Sequence, residues 1–168
     1  MSERALTDSV DETSSRGYPR AFDTILYGGL AVGVLDGLAA AINSGLRGIS
    51  PLRVFQYIAS GLIGRDSYNG GWITALLGTL LHFIVAFGVA AAFYFLARNF
   101  RRLLDHPFIT GPLYGIAIYF VMANIVSPLS QAAQGPFSWT GLITGIIIHM
   151  LFVGLPVALI AKWSARQA

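Results

Sequence analysis

The chain has 168 residues, 55% of them hydrophobic and 11% charged, with a formal net charge of +3 and no cysteine. A soluble domain carries about 25% charged residues, so this chain has too little polar surface for water, and its long apolar blocks point to lipid as the outer solvent. The missing cysteines exclude disulfides and thiol chemistry, and the eleven basic residues are scattered over loops and ends without the dense patch that nucleic-acid binding requires.

Residues 1–20 are rich in Ser, Thr and mixed charge, a composition that cannot offset the entropy of ordering, and are expected to form a flexible tail. They lack the layout of a cleaved signal peptide. A membrane span needs about 20 mostly apolar residues, and four stretches meet that length: 24–46, 72–97, 108–127 and 139–162. Between the first two, Ser50 and Pro51 form a helix-start signal. Leu52, Phe55, Ala59 and Leu62 then recur at helical spacing opposite Arg53, Tyr57 and Ser60, which predicts a short amphipathic helix over 51–63. It is too short to span, so it is expected at the interface or dipping partway in, as a connector or as a lid over a cavity. The expected fold is therefore all-α: residues 21–168 form one polytopic four-transmembrane-helix bundle with a short extracytoplasmic amphipathic helix.

Counting Lys and Arg by side puts Arg4, Arg16, Arg20, Arg98, Arg101, Arg102, Lys162 and Arg166 on one face and Arg47, Arg53 and Arg65 on the other. The positive-inside rule then places both termini in the cytoplasm. Trp72, Trp139 and Trp163 stand at span ends, as interfacial anchors do.

The segments LRGISPLRVFQYIASGLIGRD, LLHF, HPFITGPLYGIAIYFVMANIVSPLS and HMLFVGLPVALIAK resemble a recurring pattern in small four-span bacterial inner-membrane proteins of uncharacterised activity. The likeness covers about residues 24–162. It implies the fold and a bacterial inner membrane, and it carries no activity or functional residues.

Three spans hold an ionisable residue near mid-depth. Asp36 lies twelve residues past Thr24, about 18 Å into its span at the helical rise. His82 lies ten residues past Trp72 and His149 ten past Trp139, about 15 Å into theirs. Each stands beside small residues: Gly29, Gly33, Gly37, Ala41 and Gly45 flank Asp36, Gly78 precedes His82, and Gly145 precedes His149. Such ridges let helices approach closely, so the three side chains are expected to face the bundle interior.

Three readings fit this midplane site. The most economical is a structural polar network, with the protein acting as a subunit or scaffold and its glycine ridges serving a second copy or a partner span. The second is translocation of a small solute or proton, with Asn43, Tyr114, Tyr119 and Asn124 lining a path. The third is binding of haem b or a divalent metal by His82 and His149, for which paired histidine motifs are missing, so no cofactor is expected. Hydrolytic motifs are also absent, and the sequence does not read as an enzyme. The expected partners are the lipid bilayer and other membrane spans, with no nucleic acid.

Overall fold

The structure is a computed structural model that describes residues 17–167. The expectation of a flexible tail falls, for residues 1–16, outside the described residues. Five helices carry the fold: α1 (Ala21–Gly45), α2 (Pro51–Ile63), α3 (Gly71–Asn99), α4 (Pro107–Leu129) and α5 (Trp139–Arg166). Four of them, α1, α3, α4 and α5, are long and apolar enough to cross a membrane, the architecture of a multi-pass membrane protein. Their ends lie within four residues of the predicted spans. No strand occurs among the described residues.

The bundle has two ends. At the basic end lie the start of α1, the link between α3 and α4, and the last turn of α5. At the other, the α2 end, Gly64 (φ 63°) ends α2 and Gly71 (φ 56°) opens α3, both in the left-handed region that glycine enters without strain. A six-residue 3-10 helix, Gly64–Asn69, joins them.

The two halves of the bundle are packed differently. The buried core consists of Val32, Ala86, Val89, Ala90, Phe93, Ala97, Leu104, Val153, Val157, Ala158 and Ala161. All of these lie in the half toward the basic end. In lipid there is no hydrophobic force between helices, so close packing of small residues must hold them, and this Ala/Val-rich list fits that need. Tyr114 of α4 adds a polar tie to α3, its hydroxyl donating to the Val89 carbonyl at 2.7 Å. Ser164 of α5 fastens the start of α1, accepting from Arg20 N at 2.8 Å and donating to Arg20 O at 3.3 Å.

Toward the α2 end the packing thins. No residue of Met122–Leu129 or of Trp139–Ile148 is buried, whereas the basic-end part of α5 buries Val157, Ala158, Ala161 and Ser164. In that half α2 lies against α3 and closes one side. Gly78 faces the Phe55 carbonyl and Ala59 N of α2, backbone against backbone. The α2 side chains turned inward are Gln56, Ala59 and Ser60, and Leu62 is exposed. The buried face thus takes Ala59 from the apolar set and Ser60 from the polar one, while Leu62 is left outside, where an apolar leucine loses nothing by meeting lipid. Gln56 donates to Gly71 O at 3.0 Å and Thr74 Oγ1 at 3.3 Å, and Thr74 donates to Ser67 O at 2.6 Å. Ser50 stands at the start of α2 as expected, although its side chain makes no capping bond. The far end of α2 is tied to the α4–α5 link, since Gln131 donates from its backbone N to Gly61 O and from its side chain to Leu62 O.

Two helices contain π turns, Met122–Val126 in α4 and His149–Gly154 in α5. Each ends two residues before a proline, Pro128 and Pro156. A proline has no N–H for the carbonyl four residues earlier and crowds it, and a widened turn is one way a helix absorbs that mismatch.

Candidate functional site at mid-depth

The three ionisable residues form one layer relative to the core. Val32, Ala86 and Val153 are its outermost members toward the α2 end. Asp36, His82 and His149 each lie four residues beyond one of these, in the direction of the α2 end. The depth agreement read from the sequence thus corresponds to a polar layer resting on the sealed half of the bundle. All three are half-buried.

Their contacts differ. His82 Nε2 is 2.9 Å from Gly33 O of α1. A carbonyl only accepts, so Nε2 carries the hydrogen, and Nδ1 is left with its lone pair when the ring is neutral. Phe55 and Phe83 meet the ring edge-on at centroid distances of 6.3 and 5.9 Å. His149 Nδ1 is 2.9 Å from Gly145 O, one turn earlier on its own helix, and its ring packs edge-on against Tyr119 at 5.4 Å. Here Nε2 keeps the lone pair. The two imidazoles therefore sit at different interfaces, His82 directed at α1 and His149 at α4.

Asp36 makes no hydrogen bond or ion pair to His82, to His149 or to any other described residue. Its place on α1 explains why it still faces inward. Gly29, Gly33 and Gly37 on one side of it receive Phe87, Phe83 and His82 of α3. On the other side Gly28 meets Val157 of α5 and Ala90 of α3. Asp36 lies at the register between these two contacts, one turn beyond the buried Val32. The glycine ridge on α1 is thus filled from within the chain by side chains of α3, while Gly45 and Gly88 meet open space.

The four expected path residues are dispersed. Tyr114 lies in the sealed half, on Val89 O and Phe93. Tyr119 covers Gly145 and His149. Asn124 is exposed and bonds back to Phe120 O. Asn43 is half-buried on α1, two turns beyond Asp36. Of these, Tyr119 is in contact with a residue of the polar layer. Among the described residues no group of three or more His, Asp or Glu is placed to hold a metal ion. Gln56, 1% exposed, was not singled out from the sequence. Its only signal is a polar residue three positions before Ala59 on the face that meets α3.

Comparison with protein-family models, with curated proteins and with solved structures finds no match.

Proposed function

We propose that the chain is a multi-pass protein of the bacterial inner membrane, both termini cytoplasmic, that passes protons through a cleft open on the extracytoplasmic side and ending at Asp36. The observation that carries this reading is the isolation of Asp36. A carboxyl at mid-depth costs a few kcal/mol or more without a partner, and no described residue bonds to it. A proton or a cation arriving from the open half meets that need. A carboxyl and two imidazoles at one level are residue types that take up and release protons in catalysis and transport. Release toward the other side requires Val32, Ala86 and Val153 to part. The π turn of α5, with Pro156 behind it, supplies a weakened helix segment beside that layer.

The test uses proteoliposomes carrying a pH-sensitive dye in the lumen, with an imposed potassium diffusion potential. Wild-type protein should acidify or alkalise the lumen according to the sign of the potential. Asp36→Asn should reduce that flux at least about tenfold, the scale set by removing a proton-carrying carboxyl from the path, with unchanged thermal stability. Flux equal to that of empty liposomes sinks the proposal. The cleft has its own check, because the chain contains no cysteine and any introduced thiol is the sole target. Ala40→Cys, half-buried on α1, should react with a membrane-impermeant maleimide, and Ala158→Cys, fully buried in the core, should not.

A structural role is the second reading, and the bond from His82 to Gly33 O favours it. His82→Ala should lower stability in detergent by about 0.6–2 kcal/mol, the range for an interhelical hydrogen bond in membranes. Unchanged unfolding would remove that role. Haem held by both histidines has the least support, because the two rings are directed at different helices.

A further inference from the structure

The basic end carries a second candidate site, remote from Asp36. A half-open cavity of about 690 Å³ is lined by Gly17, by Arg101, Arg102, Leu104, Asp105 and His106 of the α3–α4 link, and by Lys162, Ala165 and Arg166 at the end of α5. Among the described lining residues four are permanent cations, Arg101, Arg102, Lys162 and Arg166, and Asp105 is acidic. Like charges gathered in a concavity repel one another, and the fold holds them there with neutral acceptors. Lys162 Nζ donates to the backbone carbonyl of Asp105 at 3.0 Å. Arg101 Nη2 donates to Gly17 O at 3.0 Å, and its guanidinium lies 4.4 Å over the Tyr18 ring. These bonds position the charges without neutralising them. Arg102 and Arg166 have no hydrogen-bond or ion-pair partner among the described residues.

The cavity also sits at the level of the membrane surface. Phe100 and Phe108 flank the α3–α4 link, 64% and 71% exposed, and Trp163 follows Lys162 with 47% of its surface free. Exposed aromatics beside cations at a span end mark the zone where headgroups meet acyl chains. Basic pockets between transmembrane helices are built to receive anionic headgroups, and a guanidinium pair matches phosphate oxygens in shape and charge.

We propose that this cavity binds the phosphate of an anionic phospholipid, with Arg102 and Arg166 as its main ligands and Lys162 beside them, and with the acyl chains running along Phe108 of α4. The site fixes one lipid at the joint between the α3–α4 link and the end of α5. It is independent of what passes Asp36.

The experiment reconstitutes the full chain in phosphatidylcholine nanodiscs, adds phosphatidylglycerol at low mole fraction, and counts co-purifying lipid by native mass spectrometry after transfer to detergent. Wild-type protein should retain about one phosphatidylglycerol and no phosphatidylcholine. The double variant Arg102→Gln, Arg166→Gln should lower the retained fraction about twenty-fivefold, taking each cation near the surface as roughly a fivefold effect. Neither side chain bonds to another described residue, so its thermal stability without phosphatidylglycerol should equal that of wild type. Two results would overturn the proposal. One is equal retention of both lipids. The other is full displacement of phosphatidylglycerol by millimolar inorganic phosphate, which would make this a site for a soluble anion.

Discussion

Replacing Gly78 by leucine should detach α2 from α3 and destabilise the protein by about 3 kcal/mol, the upper end of what overpacking costs. A side chain at this position meets the Phe55 carbonyl and Ala59 N, and both are backbone atoms of a helix. They cannot move aside as the end of a flexible side chain would, so the whole of α2 has to shift. That shift also breaks the bonds from Gln56 to Gly71 O and Thr74. The missing native cysteines make the outcome readable. In Ser60→Cys the thiol stands where the hydroxyl is 2% exposed and should resist maleimide. In Ser60→Cys combined with Gly78→Leu it should react. A protected thiol in the double variant would show that α2 is not held by this contact. Because α2 closes one side of the open half, the same variant should also make proton flux leaky.

Gly115→Leu should have an effect at least as large, again about 3 kcal/mol, but at the α4–α5 pair. An added Cβ at Gly115 meets the His149 carbonyl and Met150 Cα, and one at Gly111 meets Leu155 Cα and Gly154 O. Gly154 in turn faces Gly111 O and the backbone of Gly115. Three glycines thus bring the two helices together along the π turn that begins at His149. Separating them should release Tyr119 from His149, seen as loss of ring-current shifts in the histidine NMR signals, together with a lower unfolding midpoint. The control is Gly88, where an added methyl meets nothing within 4 Å. Gly88→Ala should be neutral or stabilising by up to about 1 kcal/mol from helix propensity alone. If Gly115→Leu proved as mild as Gly88→Ala, close backbone packing of α4 on α5 would be refuted.

Much of this molecule was legible in its residues, for reasons that can be named. Spans are read by length and apolarity, because lipid forces every backbone polar group to be satisfied within a helix. Helix α2 announced its limits through Ser50–Pro51 and the glycines after it. Depth is linear in residue number along a helix, so the common level of Asp36, His82 and His149 could be computed without knowing the fold. Facing was harder. A ridge of glycines says that something comes close, not whether it is a backbone, as at Gly78 and Gly115, or an aromatic ring, as at Gly29 and Gly33. The amphipathic pattern of α2 marks two faces without saying which one meets α3, and the buried face proves to mix Gln56 and Ser60 with Ala59.

The sequence by itself determined that four helices cross a membrane, where they begin and end, and that three of them carry an ionisable group at one level. Those are one-dimensional properties, set by composition and by a constant rise per residue. Only the tertiary structure decided that the Ala/Val core packs one half of the bundle while α4 and α5 bury no residue near their ends in the other. It alone bonded His82 to α1 and His149 to its own helix, left Asp36 without a bonded partner among the described residues, and gathered Arg102 and Arg166, 64 residues apart, around one cavity. These depend on which helix faces which, a question of three-dimensional packing that no single helix's pattern contains.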